Sequence, residues 1–188
     1  MTARSRSILE GYFNTGDKPT EQEFADLIES FYHKDDLGWA DYVDSQYTSA
    51  SPLTLSAATP ALLDNDGVNG VKTYEPLGID LYDTATRKIK GINGESRLIT
   101  IEFKIKPTSV AAQKAEVWID IGGAVGAIYR RLTTFPKGNG VEHNVVMTTA
   151  AYTLDTWEAN GGEVWIECDG PAEVYDIRYV LVRTTKVF

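Results

Sequence analysis

The chain has 188 residues, of which 43% are hydrophobic, and this composition excludes wholesale disorder and favours one main folded domain. Its formal net charge of −9 argues against nucleic-acid binding, because phosphate contacts need clustered Lys and Arg side chains. Cys168 is the only cysteine, so no disulfide can form within the chain.

The first residues, "MTARSRSILEGYF", lack the long apolar run of a signal peptide. The longest uncharged apolar stretch, Ile121 to Tyr129, is too short and too rich in glycine to span a bilayer. We therefore expect a soluble protein that is made in a cytoplasm and does not insert into a membrane.

The first predicted element is a helix that begins close to Thr20. Pro19 precedes this residue and Glu23 follows it by three positions, which is the capping-box arrangement that satisfies free amides at a helix start. Acidic residues in the first turns match the positive end of the helix dipole. The residues expected at or just beyond its C-terminal end are His33, Lys34, Asp35, Asp36 and Gly38.

Four apolar residues of this helix recur at positions i, i+3, i+4 and i+7 and form one stripe on an otherwise acidic surface. They are Phe24, Leu27, Ile28 and Phe31, called the helix stripe below. The upstream apolar residues can cover only part of it; they are Ile8, Leu9, Tyr12 and Phe13. The remaining cover is expected from the β domain, a sister subunit or a different protein.

The next stretch, Leu37 to Pro52, is rich in small, polar and aromatic residues and is interpreted as a connector that lies along a surface. On this basis the chain divides into a helical segment with its connector, residues 1–44, and a β domain, residues 45–188.

Eight strand-like runs separated by turn signals follow, and no second long helical pattern occurs among them. The runs are "PLTLSA", "LYDTATRKIKG", "RLITIEFKIKP", "AEVWIDIGG", "AIYRRLTTF", "VEHNVVMTT", "EVWIECD" and "EVYDIRYVLVRTT". This pattern disfavours a βαβ enzyme fold and predicts a mainly β protein, a jelly-roll-like antiparallel β-sandwich with a short N-terminal helical segment.

Strict alternation of apolar and polar residues predicts which side chains of three runs face the core. The inward residues are Ile99, Ile101, Phe103 and Ile105 in the first run, Val117, Ile119 and Ile121 in the second, and Val164, Ile166 and Cys168 in the third. The same period leaves Trp118 and Trp165 on the polar face, where a loop, the N-terminal segment or a neighbouring subunit covers them or where they stack on carbohydrate.

The stretch "DNDGVNGVKTYE" places Asp64, Asp66 and Glu75 at the first, third and twelfth positions of a calcium-type loop. Val68 stands where a ligand belongs and Asn69 replaces the required glycine, so a polar hairpin loop is favoured over a calcium site. The two histidines, His33 and His143, have no Cys or His at metal-ligand spacing. No metal and no cofactor are predicted.

Catalytic signatures are missing from the sequence. It contains neither a G-x-S-x-G elbow nor a phosphate-binding glycine loop. Glu163 and Glu167 share one strand face, which is typical of solvated side chains rather than of a glycosidase pair. No catalytic residue is therefore predicted.

The stretch "NTGDKPTEQEFADLIESF" resembles an N-terminal segment found on otherwise different virion structural proteins of tailed bacteriophages. In that segment a Gly-acid-x-Pro-Thr cap also precedes a short helix that ends in a Leu-Ile-acid-Ser-Phe pattern. The resemblance covers Ser7 to about Asp36. The β region looks like the jelly rolls of phage head fibres, decoration proteins and tail fibres, but this likeness is architectural and involves no motif.

The resemblance implies a structural protein located in the virion and made in the host cytoplasm, with other virion proteins as its partners. The helix is then an attachment or assembly element. Such β domains in phage are often trimeric, so the resemblance implies a trimer. One short helix cannot drive a coiled coil alone, so trimerisation would come from the β domain. Two alternatives stay open, a carbohydrate-binding or host-adhesion module that uses Trp118 and Trp165, and an enzyme.

Overall fold

The computed structural model describes residues 6–13, 16, 18–31, 37–76, 78–135 and 139–185. Its helices are α1 (Arg6–Gly11), α2 (Glu21–Glu29) and α3 (Asp155–Asn160). Its strands are β1 (Gly38–Val43), β2 (Leu53–Leu55), β3 (Ala61–Leu62), β4 (Tyr82–Asp83), β5 (Lys88–Ile89), β6 (Ser96–Pro107), β7 (Lys114–Asp120), β8 (Ala127–Thr134), β9 (His143–Tyr152), β10 (Glu163–Cys168) and β11 (Ala172–Arg183).

Two antiparallel sheets form the body of the protein. The first has the order β1-β11-β6-β9, with β2 also paired to β11, and the second has the order β3-β10-β7-β8. The eight strands of these two paths, in chain order, are β1, β3, β6, β7, β8, β9, β10 and β11. Counted in this order, the first, eighth, third and sixth strands form one sheet, and the second, seventh, fourth and fifth form the other. This is the interleaved double Greek key of a jelly roll, so the predicted fold class is confirmed.

The core lies between the two sheets, and the alternation read from the sequence correctly identifies the residues that fill it. All ten residues predicted to face inward are buried, from Ile99 on β6 to Cys168 on β10. Strands β6 and β10 each bury one face, as expected for a two-layer sandwich whose outer faces are open to solvent.

The stretch Leu37–Pro52, interpreted above as a connector, contains a strand. β1 pairs with β11 from Gly38 opposite Arg183 to Val43 opposite Arg178, and it buries Ala40 and Tyr42 in the core. Its inward residues are a small alanine and a tyrosine, which is why the stretch did not have the hydrophobic signature of the other strands. The division at residue 44 stays a prediction, and the pairing of β1 favours a boundary before Gly38.

Two further elements differ from the predicted strands. The run "LYDTATRKIKG" forms the small hairpin β4–β5 rather than one strand, with Tyr82 opposite Ile89 and Arg87 at a φ of 61° in the turn. The short helix α3 between β9 and β10 was not predicted, because six residues are too few to show a helical period.

The predicted capping box of α2 is present. The Glu23 amide donates to the Thr20 hydroxyl at 3.2 Å, and the Thr20 amide donates to the Glu23 carboxylate at 2.7 Å. The helix ends at Glu29, earlier than expected, and the Ser30 hydroxyl donates to the Asp26 carbonyl at 2.6 Å. The predicted end residues His33, Lys34, Asp35 and Asp36 lie outside the described residues.

A buried ion network joins β6 to β11. Both oxygens of Glu95 accept hydrogen bonds from the Arg183 guanidinium, and Arg97 lies 3.7 Å from the same carboxylate. All three side chains are buried. Burial lowers the pKa of Arg97 to about 10, with the nearby carboxylate of Glu95 opposing that shift.

In the described ranges, no helix is both long enough and apolar enough to cross a membrane.

Candidate interaction surfaces

The helix stripe is open to solvent. Phe24, Ile28 and Phe31 keep 47%, 58% and 57% of their surface exposed, while Leu27 is partly buried. The upstream residues cover it only in part, as predicted: the Phe13 ring meets the Phe24 ring edge-on at 5.8 Å, yet Phe13 is itself exposed. The helical segment therefore presents a run of aromatic and aliphatic side chains to solvent.

The buried residue of α2 is an acid. Asp26 is 2% exposed and accepts a hydrogen bond from the Gln22 side chain at 2.8 Å and one from the Tyr12 hydroxyl at 3.5 Å. A carboxylate on the covered side and phenylalanines on the open side are the reverse of the usual distribution in a folded unit. Among the described residues, the apolar side of α2 is therefore its open side.

Trp118 and Trp165 lie opposite each other on adjacent strands, β7 and β10, as their shared register requires. Both lie on the outer side of the second sheet. Trp118 is only 7% exposed, and its cover comes from the neighbouring strand β8. The Arg130 guanidinium lies 5.0 Å from the centre of its ring and is held there by Glu116 at 3.0 Å. Trp165 is partly buried, and its indole N–H donates to the Glu163 carboxylate at 3.2 Å.

A β-bulge in β8 explains the cover over Trp118. Val117 pairs with Arg131, whereas Ile119 pairs with Ile128, so β8 has one more residue than β7 between these pairs. Tyr129 occupies the bulge with a φ of 52°, a conformation that side-chain-bearing residues rarely adopt. Arg130 then lies over Trp118, while Tyr129 and its neighbour Ile128 both pack against the core. A shift of register between two strands cannot be read from the apolar pattern of either strand alone.

An apolar pocket, called the α3 pocket below, lies at one end of the sandwich between α3 and the turn that joins β7 to β8. Its volume is about 290 Å³, and it is lined by Ile121, Val125, Ile128, Tyr129, Tyr152, Leu154, Thr156 and Trp157. The lining residues Val125, Tyr152 and Leu154 are exposed. The pocket combines residues from four segments, so the sequence offered no signal for it beyond the two glycines that follow α3.

Trp157 forms the floor of the α3 pocket. It is 1% exposed, and its indole N–H donates to the Ile89 carbonyl at 2.9 Å. Gly91 and Gly162 lie directly against the indole, since a Cβ atom at these positions would come within 2.6 Å and 3.0 Å of its atoms. Only glycine lets the backbone approach the ring this closely, and the indole is held in one position.

The three carboxylates of the calcium-type loop are used within the chain. Asp66 accepts hydrogen bonds from the amide and hydroxyl of Ser45, and Glu75 accepts from the Tyr42 hydroxyl and from the Leu81 amide at 3.1 Å. Asp64 lies 3.8 Å from the Arg87 guanidinium. Among the described residues, no group of three or more His, Cys, Asp or Glu side chains has the arrangement of a metal site.

These environments shift two pKa values in opposite directions. Burial raises the pKa of Glu75, and the hydrogen bond from the Leu81 amide opposes this only in part. Burial also raises the pKa of Asp66, but hydrogen bonds from Ser45 and the Val68 amide outweigh it, and the net pKa is lowered. Both carboxylates serve the structure, tying neighbouring loops to the strands.

No protein-family model and no curated protein matches the chain. Solved structures with a similar fold include the PRD1 vertex protein P5, with 16% sequence identity over 80% of this chain and 73% of that chain and a TM-score of 0.42. The Eiger TNF from S. frugiperda is similar at 8% identity over 81% and 96% of the two chains, with a TM-score of 0.46.

A chain of the empty virus-like particle of Cowpea Mosaic Virus is similar at 12% identity over 80% of this chain and 79% of that chain, with a TM-score of 0.25. Viral vertex and capsid proteins are thus among the structures that this chain is similar to. Likeness at these values concerns architecture and carries no functional assignment.

Proposed function

We propose that the chain is a non-enzymatic structural protein of a bacteriophage virion, a head fibre, decoration protein or tail component, attached or assembled through its N-terminal helix. The observation that carries this proposal is the helix stripe, which exposes Phe24 and Ile28 on a helix with its own cap and Phe31 two residues beyond the end of that helix. An apolar surface of this kind on a helix indicates a partner that receives it.

The helical segment has the features of a separable attachment unit. Its cap is made entirely within Thr20–Glu23, so the start of α2 needs no contact with the sandwich. The residues that form this cap and the stripe are also the ones that resemble the N-terminal segment of tailed-phage virion proteins. The jelly roll then supplies the part that the virion displays or packs.

Charged substitutions in the helix stripe test the attachment. Replacing Leu27 and Phe31 together by Asp should remove the chain from purified particles, because each unpaired charge in an apolar interface costs roughly several kcal/mol. The melting of the β-sandwich should remain nearly unchanged. The measurement is a protein stain of assembled particles, together with a melting curve of the purified variant.

A matched control places the same charges on the sandwich. Val110 and Leu132 are exposed residues of the body, and replacing both by Asp should leave incorporation at the normal level. Retention of the Leu27→Asp, Phe31→Asp variant at normal copy number would show that the helix is not the anchor. Unfolding of its sandwich would instead place the stripe in the protein's own core.

We further propose that the β domain is an oligomer, with three copies as the expected number. An apolar row crosses the outer face of the first sheet, where Trp39, Val182, Leu98 and Ala150 are opposite one another on the four strands. Trp39 stacks on Tyr74 at 4.9 Å, yet both Trp39 and Leu98 remain exposed. This row replaces Trp118 as support for self-association, since that tryptophan is already covered.

Light scattering of the full chain tests the oligomer. A trimer mass at micromolar concentration is expected, and Leu98→Lys should reduce it, whereas Leu132→Lys on the other sheet should not. A monomer mass for the unaltered protein would contradict the proposal. The carbohydrate alternative gains no support from the tryptophan pair, because a stacking platform needs an open ring face and the face of Trp118 lies under Arg130.

A further inference from the structure

We propose that the α3 pocket is a binding site for a small neutral ligand with one or two rings, aromatic or alicyclic. This site lies on the sandwich, away from the helix stripe in sequence, and the proposal is independent of the attachment function. Its basis is the fixed shape of the pocket, the chemistry of its lining, its size and the unusual backbone of one lining residue.

The shape of the pocket is set by contacts within the chain. The Asp120 carboxylate accepts from the Gly122 amide at 2.7 Å, and the Asn160 side chain donates to the Ile121 carbonyl at 3.0 Å, which fastens the β7–β8 turn to α3. The Trp157 floor is held by its hydrogen bond to Ile89. A ligand that enters such a preformed site loses little affinity to ordering of the protein.

The lining is apolar and uncharged, and three rings contribute to it, those of Tyr129, Tyr152 and Trp157. The indole N–H of Trp157 and the amide of Asn160 already donate to backbone carbonyls. Sugars and anions need several converging donors or a cation, and this pocket does not provide them. Flat or puckered apolar rings fit the lining, with one polar group directed to a tyrosine or threonine hydroxyl.

The size of the pocket points to a small molecule rather than to a protein surface. Its volume of about 290 Å³ lies near the lower limit of about 300 Å³ for drug-sized ligands and is roughly twice that of a cavity that holds benzene. One or two rings match this space. The exposed rim consists of three residues, Val125, Tyr152 and Leu154. A stable protein interface buries roughly 800 Å² and about 20–30 residues on each partner, so this rim is too small to be one.

The bulge in β8 brings Tyr129 into the pocket. Its φ of 52° is costly for a residue with a Cβ atom, and its ring lies 6.3 Å from that of Trp157 at an angle of 50°. Strained backbone of this kind concentrates at ligand sites, where a bulge redirects a side chain. In this chain the extra residue adds a second aromatic wall beside the floor.

The test is a titration of the full-length ¹⁵N-labelled protein with benzyl alcohol, followed by amide NMR. Saturable shifts are expected at Gly123, Val125, Thr156 and Trp157, and no comparable binding is expected for glucose or for benzoate. Val125→Arg, at the exposed rim, should weaken benzyl alcohol binding at least tenfold. Val110→Arg, the same substitution at an exposed site in the loop between β6 and β7, should leave it unchanged.

Three outcomes would overturn the proposal. They are a titration without saturable shifts at these residues, equal binding by the Val125→Arg and Val110→Arg variants, and binding of glucose or benzoate as tight as that of benzyl alcohol. If Val125→Arg fails to fold, Leu154→Lys places a charge on the other side of the same rim and gives the same comparison. None of these results depends on attachment of the chain to a particle.

Discussion

In the β-sandwich, Trp157 keeps 1% of its surface exposed, whereas Phe31 in the helical segment keeps 57%. Both are large aromatic residues, and burying either one releases a similar amount of apolar surface from water. The sandwich achieves this within one chain, because two sheets face each other across a core. The described part of the helical segment has no comparable second layer over Phe31, so the apolar surface of this ring stays in water.

The buried carboxylates of the two regions also differ, in the groups that surround them. Glu95 is buried in the sandwich against the guanidinium groups of Arg97 and Arg183, an opposite-charge environment. Asp26 is buried in the helical segment with the Gln22 amide and the Tyr12 hydroxyl among its partners. The buried acid of the sandwich thus faces opposite charges, whereas the partners that hold Asp26 include two neutral side chains.

The largest expected difference between the two regions concerns their aromatic residues. Trp157→Ala should lower the free energy of unfolding by about 3–5 kcal/mol, because it leaves a cavity and removes the hydrogen bond to Ile89. Phe31→Ala should change it by less than about 0.5 kcal/mol. Urea denaturation of the isolated chain measures both. Equal losses would mean that the helix stripe belongs to the core of the sandwich.

The buried ion network gives the next largest effect. Glu95→Gln keeps the shape of the side chain but removes the negative charge that two buried guanidinium groups face, and it should cost about 3–5 kcal/mol. The control is Glu116→Gln, which removes the charge of an exposed pair with Arg130 and should cost about 1 kcal/mol or less. A small effect at Glu95 would show that water or another group compensates the buried charges. Chemical denaturation of the two variants gives the comparison.

Arg130→Ala tests whether Trp118 belongs with the covered residues of the sandwich. Removing the guanidinium should expose one face of the indole and cost about 0.5–1 kcal/mol. Hydroxyl-radical footprinting with mass spectrometry should show increased oxidation of Trp118 relative to Trp39. Arg131→Ala, one residue further along β8, should leave the oxidation unchanged. Increased oxidation in both variants would point to general loosening of the strand.

The smallest effect concerns Asp66, which ties the loop after β3 to Ser45 just after β1. Its pKa is lowered from the ordinary value of 3.8, so its contribution to stability is present above about pH 3.8 and is lost as the pH falls through the lowered folded-state pKa. Asp66→Asn should therefore reduce the fall of the melting temperature with decreasing pH, measured as a series of melting curves at acid pH. An unchanged loss of stability at low pH in this variant would show that the hydrogen bonds from Ser45 to Asp66 contribute nothing measurable to the free energy of unfolding.

Elements that depend on residues close together in the sequence were predicted correctly, and elements that depend on distant residues were not. The inward residues of β6, β7 and β10 were predicted correctly, since period-two alternation is local to each strand. The cap of α2 was also predicted, because its two partners are three residues apart. The strand β1 was missed, since Ala40 and Tyr42 alone do not form a hydrophobic pattern, and its evidence is its pairing with β11.

The candidate sites were less predictable for the same physical reason. The helix stripe follows from helical spacing within eight residues, but its exposure depends on what the rest of the chain covers. The cover of Trp118 depends on one extra residue in β8, which changes the register between two strands. The α3 pocket depends on β7, β8, β9 and α3 meeting at one end of the sandwich, a consequence of topology that no local segment contains.

The position of β11 affects how the chain folds during synthesis. This last strand is central in its sheet, where it pairs with β1, β2 and β6. The central strand of the first sheet is therefore absent until the end of the described chain has left the ribosome. Until then β1 cannot pair, because its partner β11 lies about 140 residues further along the chain. Contacts of such long sequence separation make folding slow. The start of α2 does not depend on this late strand, because its cap is made within Thr20–Glu23.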